Sequence, residues 1–308
     1  MTTESTGLRH DRRSFLRLGA GVGAIGALSL AAPSLLTACG SSKSGTIGLT
    51  KSTNDQLTGL FNYSGNFLVT GSPQRLPFII STSEGPPATT GPETLQLQVY
   101  FRDEAVGAPV TVARHADGVP IGYYPLTHTF DRAGTWKVET ELGGERTSAS
   151  FAVSTPEQVK LLQPGQKLPN ILTPTTTDAR GVTPICTASP QCPLHDRTIT
   201  DALGRRAPVA LLVGTPAYCR TAVCGPVLDM VLEQRAAFPT VQFLHAEVYK
   251  NPGAGSDPAS SGTTPAIEAL GLTYEPSLFI VNGDGTITSR LDNIWDRVEL
   301  TTALRAVA

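Results

Sequence analysis

The chain lacks a surplus of either charge: its 308 residues carry 24 Lys and Arg against 26 Asp and Glu. Such a balance is neither a nucleic-acid footprint nor an acidic tail, so no nucleic-acid partner is expected. The sequence also has no nucleophile elbow, no H-E-x-x-H and no phosphate loop, so it offers none of the motifs that would point to serine hydrolase, zincin or nucleotide-hydrolysing chemistry. Its one G-x-G-x-x-G, at Gly21, Gly23 and Gly26, follows no strand and opens no βαβ unit, so it is set aside as a dinucleotide fingerprint. Cysteine is scarce, with five residues: Cys39, Cys186, Cys192, Cys219 and Cys224.

The N-terminal stretch "DRRSFLRLG" contains Arg12-Arg13 followed by Ser14-Phe15-Leu16 and resembles a twin-arginine export signal. An uncharged run from Leu18 to Ala38 ends in Leu36-Thr37-Ala38-Cys39, which resembles a lipobox. The resemblance implies cleavage of residues 1–38 and lipid on the Cys39 thiol. It places the chain outside the cytoplasm, anchored to a membrane through that lipid. Glycines and Pro33 within the run argue against a transmembrane helix. The remaining chain would carry 20 basic and 24 acidic residues, about −4. Its length of roughly 270 residues predicts two domains.

Residues 39–65 are small, polar and Gly/Ser-rich after the lipid cysteine and read as a flexible tether. Residues 66–155 show period-two alternation. Leu95, Leu97 and Val99 alternate with Gln96, Gln98 and Tyr100, and Trp136, Val138, Thr140 and Leu142 alternate with more polar partners. Turn clusters recur about every ten residues, which predicts an all-β sandwich. "FDRAGTWKVETEL" resembles the late strands of immunoglobulin-like sandwiches, with Trp136 in the core. Residues 156–192, punctuated by Pro156, Pro164 and Pro169, read as a semi-extended connector carrying one cysteine pair.

From residue 193 to 308 the pattern changes. "APVALLVGT" (207–215) is a continuous apolar run of buried-strand type. A helix is expected over Pro226–Phe238, a strand at "VQFLHAEVY", a short helix at "PAIEALGL", a hairpin turning at Gly283-Asp284-Gly285 and a last helix over Asp296–Val307. The order is β-α-β-α-β-β-α, with the first two strands parallel and the last two antiparallel. This order, the cysteines after the first strand and "YEPSLFIVNGDGTI" resemble the thioredoxin fold. The resemblance implies a cis-proline at Pro276 facing Cys219 and Cys224. "GTPAYCRTAVCGP" is similar to the copper-chaperone branch of that fold, but its spacer is four residues and Gly225 intervenes before Pro226. The C-x-x-C dithiol of oxidoreductases is absent here, since the position three after Cys224 is Val227.

In an exported chain thiols tend to pair. Four cysteines permit three connectivities, and the close spacings favour Cys186 with Cys192 and Cys219 with Cys224. In one continuous helix, residues five apart differ by about 7.5 Å of rise and about 140° of rotation, so Cys219 and Cys224 cannot pair if both are helical. Pro226 belongs in a helix's first turn. That puts Cys224 at a helix N-terminus, where the dipole favours its thiolate, and Cys219 in the loop before it. Three readings stand: thiol–disulfide exchange through Cys219 and Cys224 with a thiol substrate or envelope protein partner; a non-catalytic binding module stapled by its disulfides; and a Cu(I) site. No metal ligands are assigned. His245 reads as a structural or surface residue. His195 would complete a set with Cys186 and Cys192, but a fourth ligand and standard spacing are missing. His115 and His128 default to the surface, and Trp295 to packing or a rim contact.

Overall fold

Where apolar and polar residues alternate, one face of a strand is buried, and the first half of the chain is built on that rule. A computed structural model of the protein describes residues 55–61, 67–82, 85–255 and 257–308. Seven strands come first: β1 (Gln56–Gly59), β2 (Pro73–Ser81), β3 (Thr94–Phe101), β4 (Glu104–Ala113), β5 (Tyr124–Thr129), β6 (Gly134–Leu142) and β7 (Glu145–Val153). They form a three-stranded sheet in the order β1-β2-β5 and a four-stranded sheet in the order β4-β3-β6-β7. Every pairing within the two sheets is antiparallel. Leu95, Leu97 and Val99 of β3 and Trp136 and Val138 of β6 all point into the core. Trp136 is fully buried. Its ring stands 4.8 Å from Phe130 and 5.0 Å from Phe101, and its indole N–H donates to the Arg132 carbonyl at 3.1 Å.

β1 lies inside the stretch read from sequence as tether. It pairs with β2 from Gln56↔Ser81 to Gly59↔Phe78. Leu57 of β1 and Phe61, two residues past its end, are buried. Two large apolar residues four apart outweigh the polar composition around them.

The second half contains α1 (Ile199–Gly204), β8 (Val209–Val213), α2 (Cys224–Gln234), β9 (Gln242–Ala246), α3 (Pro265–Leu270), β10 (Ser277–Val281), β11 (Ile287–Asp292) and α4 (Arg297–Arg305). α1 is an element the apolar pattern does not announce. It is set by Thr198, whose hydroxyl accepts from the Asp201 N–H at 3.0 Å while the Asp201 carboxylate accepts from the Thr198 N–H at 3.0 Å, a reciprocal cap. The sheet order is β11-β10-β8-β9. β8 and β9 are parallel, with Leu212 beside His245. β10 runs antiparallel to both β8 and β11. All five residues of β8 are buried, as a strand covered on both faces requires. Among the described residues, no helix is long and apolar enough to cross a membrane.

The boundary expected between two separate domains is not a gap. Lys51–Ala308 packs as one unit, and the apolar core runs continuously from Val138 through Leu161, Leu168 and Ile171 to Val209 and Leu211. The connector residues Leu161, Leu168 and Ile171 are thus buried, each contributing about 1.5–3 kcal/mol. Polar contacts lock the same junction. Arg75 of β2 makes a two-pronged pair with Glu299 of α4 at 2.7 and 2.6 Å, and donates to the Asp292 and Ile294 carbonyls. The Tyr123 hydroxyl also donates to Glu299, and His115 pairs with Asp296 at 3.0 Å. His115 is therefore a junction residue rather than a loose surface one, and Trp295 is fully buried packing rather than rim.

Candidate functional site

β8 ends at Val213, and the chain then turns twice before α2. The Tyr218 N–H donates to the Thr215 carbonyl at 3.0 Å and the Ala222 N–H to the Cys219 carbonyl at 3.3 Å. Ala222 takes φ 56°, a conformation uncommon for a residue with a Cβ, and so folds the four-residue spacer back on itself. Cys219 lies before the helix and Cys224 is its first residue. The two are joined in a disulfide with Cα atoms 5.9 Å apart, inside the range such a bond spans.

The two sulfurs differ in access. Cys224 is 1% exposed, whereas Cys219 is half-buried and its sulfur sits 3.3 Å from the Thr221 hydroxyl at the surface. Tyr218 beside it is 40% exposed. The helix N-terminus thus holds the inner cysteine, and the sulfur open to attack is Cys219.

Pro276 and Glu275 close the inner side. The Glu275–Pro276 peptide is cis. A Cβ placed on Gly214 would lie 3.6 Å from both the Cys224 sulfur and the Pro276 Cβ, so Gly214 packs against both Cys224 and Pro276. Glu275 Oε2 stands 3.7 Å from Cys224 Sγ and accepts the Thr215 N–H. Burial pushes this carboxyl up to about 7, against the pull of the Thr215 hydrogen bonds. Sequence reading passed over Glu275. Its only signal was its place immediately before Pro276.

Cys186 and Cys192, expected as a structural disulfide, are free thiols buried at 1% and 6% exposure. Two imidazoles lie against them instead. His245 Nδ1 is 3.4 Å from Cys192 Sγ and 3.8 Å from Cys186 Sγ, while its Nε2 meets the Gly214 carbonyl at 2.9 Å. His195 is 2% exposed, its ring 4.9 Å from that of His245. One donor atom from each of the four residues lies within 4.8 Å of all the others. The missing fourth member of the Cys/Cys/His set is His245. The parallel pairing of β8 and β9 carries it there, and the loop holding the cysteines is pinned to β9 by the His245 N–H donating to the Leu194 carbonyl at 3.1 Å. His245 is thus a buried member of a constellation. The Cys186 thiol is held well below its ordinary range by a hydrogen bond from Cys192, reinforced by His195 and His245 against the cost of burial.

The two constellations touch. The Glu247 carboxylate accepts from the Thr187 N–H at 2.6 Å and from its hydroxyl at 3.0 Å. That hydroxyl in turn accepts from the Ala217 N–H at 3.2 Å, two residues before Cys219. Among the described residues, Cys219 and Cys224 belong to no group of three or more His, Cys, Asp or Glu side chains able to hold an ion. The second such group, His115 with Asp296 and Glu299, is already engaged by Arg75 and Tyr123. Cys39, Arg12 and Arg13 lie outside the described residues.

No protein-family model matches the chain, and no curated protein sequence matches it. Among solved structures, a thiol:disulfide interchange protein of the thioredoxin family from Chlorobium tepidum TLS aligns at 10% identity, covering 47% of this chain and 97% of that one, with a TM-score of 0.32. An immunoglobulin domain complex of titin M10 with obscurin-like 1 aligns at 14% identity over 32% of this chain and 91% of that one, TM-score 0.20. The PKD domain of human SorCS2, a VPS10 domain-containing receptor, aligns at 15% identity over 39% and 97%, TM-score 0.18. Scores this low leave any functional reading to the geometry of the site.

Proposed function

We propose that the protein is an exported, membrane-anchored lipoprotein whose thioredoxin-like half performs thiol–disulfide exchange through Cys219 and Cys224. The immunoglobulin-like half forms part of the same packed body. The observation that carries this reading is the asymmetry of the disulfide: a half-exposed sulfur on Cys219, and a buried one on Cys224 against Glu275. Anchoring rests on the residues around Arg12, Arg13 and Cys39, and the partner is a thiol-bearing protein of the same compartment.

A substrate thiolate attacks Cys219 Sγ, forming a mixed disulfide and expelling Cys224 as a thiolate. Glu275, protonated up to about pH 7, stands where it can give that leaving sulfur its proton. A second substrate thiolate then attacks the substrate sulfur of the mixed disulfide and releases Cys219. The substrate loses two electrons and two thiol protons, and the Cys219/Cys224 pair gains both electrons. One proton ends on Cys224 and one on Cys219, with Glu275 reprotonated from the protons the substrate thiols release. Run backwards, the same steps reduce a substrate disulfide.

A redox titration of the protein with thiol mapping by mass spectrometry tests this. Reversible opening of Cys219–Cys224 between about −120 and −270 mV supports exchange. A bond that stays closed below about −300 mV is a staple, and the protein is then a binding module.

A further inference from the structure

We propose that Cys186, Cys192, His195 and His245 form a closed four-coordinate site for Zn(II), distinct from the Cys219–Cys224 pair.

The donor set is two sulfurs and two imidazole nitrogens, the Cys2His2 combination that zinc takes tetrahedrally. With zinc–sulfur and zinc–nitrogen bonds of about 2.3 and 2.05 Å, a tetrahedral centre separates S from N by about 3.5 Å. The sulfur-to-nitrogen distances to His245 are 3.4 and 3.8 Å. His245 and the two sulfurs thus stand at the spacing a zinc ion imposes, and all four donors lie within 4.8 Å of one another.

The surroundings fit ligation as well. A ligating histidine typically gives its other ring N–H to a carbonyl, which fixes its tautomer. His245 presents Nδ1 to the sulfurs and meets the Gly214 carbonyl with Nε2 at 2.9 Å. The Cys192 N–H donates to Cys186 Sγ at 3.3 Å, the type of backbone contact that stabilises a ligating thiolate. His195 Nε2 is buried with no hydrogen-bond partner. A buried imidazole nitrogen left without a partner costs about 1–3 kcal/mol, and a metal at the centre of the four donors removes that cost. All four side chains are 6% exposed or less, which leaves no open position for water or substrate. The role is therefore structural. Zinc would fasten the 186–195 loop across the open edge strand β9. Through His245 to Gly214 and Thr187 to Ala217 it would steady the loop that presents Cys219.

The test uses the full chain carrying Cys219→Ser and Cys224→Ser, so that failure of the exchange reading leaves the outcome untouched. Protein reduced and stripped with chelator is titrated with Zn(II) and separately with Co(II), with stoichiometry read by native mass spectrometry. One equivalent of each is expected. The cobalt form should show the visible bands of a tetrahedral centre with sulfur-to-metal charge transfer. His245→Ala should weaken Zn(II) binding by more than about 100-fold. His195→Cys should keep one equivalent and gain charge-transfer intensity, a response that a merely packed histidine would not give. The proposal is overturned if Cys186 and Cys192 are found bonded to each other and no metal is taken up. It is equally overturned if Cu(I) binds but Zn(II) and Co(II) do not, or if His195→Cys leaves the cobalt spectrum unchanged.

Discussion

Glu275 and Cys224, 51 residues apart in sequence, meet at 3.7 Å beneath the Cys219–Cys224 bond. A half-buried carboxyl with its proton held up to about pH 7 beside the buried Cys224 sulfur would serve the proposed exchange as a proton source at the sulfur that solvent does not reach. The consequences are separable by experiment.

Glu275→Gln should slow reduction of the disulfide by dithiothreitol below neutral pH by roughly 100-fold, the lower end of the 10²–10⁴ range general acids supply, and flatten its pH profile near 7. Stopped-flow measurement of disulfide opening between pH 5 and 8 checks it. Identical profiles for the two proteins would remove Glu275 from the reaction.

The same carboxyl makes stability depend on pH. Its folded pKa of about 7 lies above its ordinary 4.5, so the contribution is full below about pH 4.5 and is lost as pH rises through 7. Urea midpoints for the oxidised protein should fall over that window by the equivalent of roughly 1–3 kcal/mol. Glu275→Gln should lack that fall.

Access predicts an asymmetry between single cysteine variants. With Cys224→Ser, the half-exposed Cys219 should be alkylated by iodoacetamide and trap mixed disulfides. With Cys219→Ser, the buried Cys224 should react slower by about tenfold or more. Mass spectrometry over a time course reads both rates, and equal rates would mean the loop opens freely.

Arg75→Ala should be strongly destabilising, by about 2–4 kcal/mol, because it leaves Glu299, only 16% exposed, without its charge partner. Arg75→Ala combined with Glu299→Ala should recover part of that loss. Chemical denaturation of the four proteins of the cycle gives the coupling.

Gly271 ends α3 at φ 69°, and a Cβ there would lie 2.4 Å from the Lys160 carbonyl oxygen. Gly271→Ala should cost more than about 1 kcal/mol, since backbone on both sides must move. A thermal melt unchanged from the parent would show that the connector yields.

What the sequence by itself determined is local. The alternation at 94–101 and 134–142 and the apolar run at 207–215 bury one face or two as soon as a strand forms, and strands stand at all three places. Proline near the start of α2 places Cys224 in its first turn, and a loop is then the only geometry in which Cys219 can reach it. The rest was decided by contacts between distant segments. Cys186 and His245 are separated by 59 residues, and neither spacing nor composition says that the parallel β8–β9 pairing will set His245 beside two thiols. Composition read β1 as tether, because the burial of Leu57 and Phe61 depends on a sheet formed by later strands. The connector likewise looked like a linker until Leu161, Leu168 and Ile171 found a core on either side. Local patterns specify which face of a segment wants burial, and only the tertiary fold decides which distant side chains share the space.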